Sequence, residues 1–130
     1  NCTVEGGTFR HNGRSGRSIT MVGYGHTLYN VHVQSYSAAV AAKAVMMRGD
    51  DHLFDQSTIE GPGQNAYGWD GLFFAGGDGL VVTRSRIHSA DDSVALYTIS
   101  DLNSQYIYND TTNARVEDCE LRSLNASCIR

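Results

Sequence analysis

The chain has 130 residues, room for one domain, and 41% apolar residues, enough for a core. Its formal net charge is −4, and of its ten basic residues Lys43 is the one lysine, so no cationic surface for nucleic acid is expected and a neutral or weakly charged partner fits better. No stretch approaches the roughly 18 apolar residues of a membrane span and no signal-peptide pattern opens the chain, so no membrane partner is expected.

Taken in chain order, five short segments repeat one pattern: "NCTVEG" from 1, "NVHVQS" from 30, "QSTIEG" from 56, "RSRIHS" from 84 and "DCELRS" from 118. The second positions are Cys2, Val31, Ser57, Ser85 and Cys119; the fourth are Val4, Val33, Ile59, Ile87 and Leu121. The steps between them are 29, 26, 28 and 34 residues, a solenoid period with loops of variable length. Helical spacing of apolar residues is confined to "SAAVAAKAVMM"; elsewhere short alternating runs are cut by Gly, Asn, Asp and Ser.

The fold class predicted is therefore all-β, a right-handed parallel β-helix of about five rungs, with residues 1–130 a single partial domain of a longer β-helix. The fourth-position and second-position ladders together are expected to supply the core. A second strand is expected in each coil at 44–47 ("AVMM"), 72–75 ("LFFA") and 94–97 ("VALY"). The odd, widely spaced cysteines Cys2, Cys119 and Cys128 fit neither a disulfide framework nor a zinc pattern and are expected as buried thiols. Asn-x-Ser/Thr triplets at Asn1, Asn109 and Asn125 lean toward a secreted protein.

Aligning the second strands places Asp70, before "GLFF", one short coil of 22 residues below Asp92, before "SVAL", with Asp91 alongside. Three carboxylates in one groove raise one another's pKa, so one of them tends to keep its proton. An acid facing a carboxylate base is the pair that glycosidic cleavage requires. Aspartates at turns also cap strands, bond backbone N–H groups or hold a structural Ca²⁺, and the periodicity alone leaves these readings open.

The stretch "DGLFFAGGDGLVVTRSRIHSADDSVALY" resembles the core of the polygalacturonase family, with its T-D-G and G-D-D elements. It is also similar to the dextranase and isopullulanase family of the same clan, whose D-D pair is followed by Leu or Met and Tyr, as Leu96 and Tyr97 follow here. The lone Asp and the pair stand 21 and 22 apart in the family and in this chain. The matching stretch covers residues 68–97. The resemblance implies an inverting glycoside hydrolase with Asp91 as general acid and Asp70 and Asp92 holding the attacking water, without metal or organic cofactor. Inversion asks for carboxyl groups about 6.5–9.5 Å apart.

Trp69 stands where the family has Thr, Ala90 where it has Gly, and Asn125 where polygalacturonases carry a histidine in the next rung. A neutral α-glucan is thus as good a substrate as polygalacturonan, with the protein acting outside the cell as a monomer. Around the aspartates, Tyr67, Trp69 and Phe73 offer an apolar wall for sugar faces, although Trp69 suits packing under a loop equally well. His88 is a candidate to tune the acidic pair or a surface residue. Lys43, aligned with Gly71 and Ser93, is a candidate groove residue or a solvated turn lysine. A Ca²⁺-dependent pectate-lyase-like enzyme and a non-catalytic adhesin or tailspike segment stay open beside the hydrolase.

Overall fold

In the computed structural model, residues 1–11, 16–35, 42–63, 68–98 and 110–130 are described. The first coil contains β1 (Thr3–Glu5), β2 (Thr8–His11) and β3 (Arg17–Tyr24); the second, β4 (Thr27–Tyr29), β5 (His32–Ser35) and β6 (Lys43–Asp50). The third has β7 (Leu53–Asp55), β8 (Thr58–Glu60) and β9 (Asp70–Phe74), with the short β10 (Gly77–Asp78) after it. The fourth has β11 (Val81–Thr83), β12 (Arg86–Ser89) and β13 (Val94–Leu96). Then come β14 (Thr111–Thr112), which pairs with β10, and β15 (Arg115–Glu117) and β16 (Glu120–Ser123) of the fifth.

Equivalent strands pair in parallel from coil to coil, forming three long sheets: β1-β4-β7-β11-β15, β2-β5-β8-β12-β16 and β3-β6-β9-β13. No helix occurs among the described residues, and the architecture is a parallel β-solenoid of about three turns. Those are the coils stacked on both sides. The end coils bring the first two sheets to five strands, while the third has four and continues only as a Val94–Ile129 bridge. About five rungs are thus present on two faces but not on the third.

Parallel strands buried on their inner side need apolar residues at the same height in every coil. Val33, Ile59, Ile87 and Leu121 stack in register as expected, and so do Val45, Leu72 and Val94 on the third sheet. The first coil departs from expectation. Phe9, not Val4, stacks beneath Val33, and the first step is 24 residues rather than 29. Val4 belongs to a sheet the repeat pattern did not reveal, stacking with Leu28, Phe54, Val82 and Val116.

The second-position column is Val31, Ser57, Ser85 and Cys119, and it serves the turn as much as the core. Ser57 Oγ accepts from Val31 N–H at 3.1 Å and Ser85 Oγ from Ser57 N–H at 3.1 Å, which satisfies backbone groups that the turn leaves unpaired. The residue before each, Asn30, Gln56, Arg84 and Asp118, takes a left-handed φ of 46–52° that turns the chain from the first sheet to the second. Cysteine burial is corrected: Cys2 and Cys128 are exposed and Cys119 is half-buried, all three free.

Candidate functional site

The lead-in to the third sheet breaks the in-out alternation of a strand. Ala44 and Val45 both enter the core, and a Cβ on Gly71 would lie 2.5 Å from Ile87 Cγ2 and 2.6 Å from the Ser93 carbonyl oxygen while the next residue, Leu72, is also inside. Two consecutive inward positions, as in a bulge, turn the preceding residues to the outer side. Lys43 and Asp70 are register partners, and Asp92 follows in the same column because Gly71 N–H donates to its carbonyl at 2.9 Å. The 22-residue coil predicted between Asp70 and Asp92 is the observed register.

Asp70, Asp91 and Asp92 each bring a carboxylate oxygen within 4.8 Å of the other two. Asp70 and Asp92 are buried and Asp91 is half-buried. Stacking on adjacent coils fixes this spacing, since neighbouring strands lie about 4.8 Å apart. It is closer than the about 6.5–9.5 Å expected of an inverting pair, so that expected separation is corrected.

Each aspartate is anchored by the protein. Asp70 Oδ2 lies 2.5 Å from Lys43 Nζ, Asp91 Oδ2 accepts from Gly68 N–H at 2.6 Å, and Asp92 Oδ1 accepts from Ser127 N–H at 3.0 Å. Arg130 Nη1 stands 3.6 Å from Asp92 Oδ2. Burial raises the Asp70 pKa; the Lys43 hydrogen bond and charge oppose this, and the charges of Asp91 and Asp92 reinforce it. Another buried carboxylate, Asp55, shows the structural alternative: Arg84 grips both its oxygens in a fork, leaving it no chemistry to do.

Lys43 is therefore no solvated turn lysine, and it is level with Asp70 rather than Gly71. Its ammonium lies 5.1 Å from the centre of the Phe73 ring, which stacks on Tyr97 at 5.2 Å. Phe73 is on the outward side of the sheet, in a small cluster with Met46, Ala75 and Ala95. Arg130 lies 5.5 Å over the Tyr97 ring. Sequence reasoning singled out Tyr97 only as part of the motif after the acidic pair, and Arg130 is the site neighbour that it did not single out.

Two expected binding residues are placed elsewhere. Trp69 is 1% exposed, in the main core, with its ring against the bare backbone of Gly61, so it presents no face to a sugar. His88 points out from the second sheet and bonds Glu120 Oε1 through Nε2 at 2.7 Å, the surface placement weighed for it rather than a contact with the acidic pair. Tyr67 lies outside the described residues. Asn125, in the rung after the pair, donates through Nδ2 to the Ala90 carbonyl at 2.7 Å and so supports the turn that carries Asp91. No family model, curated protein or solved structure matches this chain.

Proposed function

We propose that the chain is a polysaccharide hydrolase that cleaves glycosidic bonds with inversion, Asp91 acting as general acid and Asp70 and Asp92 holding and activating the water. The observation that carries this reading is the convergence of three carboxylates from two coils within 4.8 Å, on the outer side of an apolar sheet. Two acceptors sharing one water at about 2.8 Å each stand about 4.4 Å apart, so this spacing suits a water held by two carboxylates. Asp91, the least buried of the three, is left to meet the leaving oxygen.

The raised Asp70 pKa makes its carboxylate a stronger base toward the water it would activate. The Phe73–Tyr97 stack beside Lys43 offers an edge for a sugar ring. The substrate is of the α-glucan or polygalacturonan type, met outside the cell by a monomer.

The same spacing favours a second reading, a Ca²⁺-dependent lyase, because three oxygens this close can share a calcium at about 2.3–2.6 Å each. Against it, the Lys43 ammonium already fills a cationic position on Asp70. Proton NMR of products from α-glucans and polygalacturonan, with and without chelator, separates the readings. The hydrolase gives a saturated product whose new reducing end is first β, with rates unaffected by chelator. Retention contradicts the three-aspartate mechanism. An unsaturated, calcium-dependent product assigns the site to lyase chemistry, and glycan binding without turnover leaves a non-catalytic solenoid.

A further inference from the structure

The corner that leads from the third sheet into the first ends on His26 after β3 and on His52 after β6. In both coils the ring donates from Nε2 to the carbonyl four residues earlier, His26 to Val22 and His52 to Arg48, each at 2.9 Å. The two rings stack with centroids 5.2 Å apart and planes 9° from parallel. His52 is 1% exposed, and its ring meets Phe74 edge-on at 6.2 Å.

The fold does not demand a titratable ring at this place. Val81 N–H donates to the His52 carbonyl, which puts Leu80 in the same column one coil on, and Leu80 fills it with a fully buried aliphatic side chain. What the histidine adds is a link between coils. His52 Nδ1 accepts from His26 N–H at 3.3 Å, so the neutral ring carries its proton on Nε2 and both nitrogens are taken by backbone groups.

A second proton has no acceptor on this ring. It would sit on Nδ1 against the His26 N–H, and the charge would lie buried against the stacked His26 ring. The charged and titratable groups around it are Tyr24 and His26 of the preceding turn, Arg48, Asp50 and Asp51 of its own, and Asp78 of the next. Asp50, Asp51 and Asp78 are exposed; Asp50 Oδ1 accepts from Asp78 N–H, and Asp78 Oδ1 from Thr112 and Asn113. Burial lowers the His52 pKa; the bond to the Arg48 carbonyl opposes this, the His26 charge reinforces it, and the Asp50 charge opposes it.

We propose that the His26–His52 stack is an acid-sensitive joint, at which proton uptake by His52 opens the corner between the third and first sheets. Opening breaks the bond from His26 N–H, separates the rings and reaches Phe74, whose strand β9 also carries Asp70. The inference stands without the hydrolase reading. Because the folded chain binds this proton less tightly than the unfolded one, the stabilisation is present above the ordinary histidine pKa and is lost as pH falls from there through the lowered folded value.

Melting temperatures of the chain and of its His52→Gln and His52→Leu variants, recorded from about pH 7.5 to 5, test the joint. Gln keeps a donor and an acceptor, Leu is the residue that the next coil uses, and neither titrates in this range. The parent should lose at least about 3 °C more than either variant as pH falls. In proton NMR of the parent, the His52 ring should titrate below the ordinary histidine pKa. This second reading needs no variant, so it decides the matter even where a substitution prevents folding. A difference in melting temperature that does not change with pH, or a His52 ring that titrates at or above the ordinary value, would overturn the joint.

Discussion

The inner column Val33–Ile59–Ile87 and the outer column Lys43–Asp70–Asp92 belong to successive faces of the same coils, yet they are built to different ends. The first is 0–1% exposed, apolar, and repeats one chemistry at each step, so every residue supports its neighbours above and below. The second stacks two carboxylates on an ammonium in largely buried positions, where the charges are held by Lys43, Ser127 N–H and Arg130. The ladder adds stability at each coil, whereas the charged column gives up some of it by holding carboxylates together in buried positions.

The largest effect should come from putting the chemistry of the second column into the first. Ile87→Asp buries an unpaired carboxylate in the middle of the ladder, costing several kcal/mol, and should abolish the cooperative melt followed by circular dichroism. A soluble, cooperatively melting variant would contradict the register described for β12.

A smaller effect should follow from Gly71, where the two columns meet. The Cβ of Gly71→Ala would press on Ile87 Cγ2 and the Ser93 carbonyl, an overpacking that typically costs about 1–3 kcal/mol. Chemical denaturation should show that loss. Activity should fall as well, because the displaced backbone is the one that sets Asp70 against Asp92.

How much of this contrast was visible in the sequence depends on the same chemistry. A branched aliphatic residue recurring beside a turn is what a buried column demands, so Val33, Ile59, Ile87 and Leu121 could be read directly. Val4 was drawn into that ladder because the first and second sheets both carry an apolar residue two positions before a small or polar turn residue. Phe9, the true member, is aromatic and does not look like its partners. The first sheet stayed hidden because its three-residue strands share no marker beyond one apolar centre each.

The aspartates were legible because the coil between them is short and both precede strands of similar composition. Lys43 was misaligned by one position, since the third sheet skips a residue in its in-out order after Lys43 and after Asp70, which no periodicity records. Trp69 looked like a sugar wall from its neighbour in sequence, but its environment is decided by Gly61 across the loop.

The smallest effect is a pH dependence that distinguishes Asp70 from the ladder. Its raised folded pKa means that the folded state holds the Asp70 proton more tightly than the unfolded chain does. The resulting stabilisation is present below the ordinary carboxylate pKa and is lost as pH rises through the raised folded value. Melting temperatures recorded from neutral pH downward should therefore show the parent gaining on Asp70→Asn as pH falls. A difference that stays constant would remove the argument that burial dominates at Asp70.

The central claim is that the acidic turn is a catalytic device, and it is tested most directly at Asp91. Asp91→Asn keeps the shape and can still accept from Gly68 N–H, but it cannot deliver a proton. Reducing-end release should fall by roughly 10²–10⁴, the share that general acid catalysis supplies, with the melting temperature and substrate affinity near those of the parent. A substrate with a good leaving group should restore more of the rate in Asp91→Asn than in Asp70→Asn or Asp92→Asn. Full turnover in Asp91→Asn together with a sharply lowered melting temperature would mean that the three aspartates only close a turn.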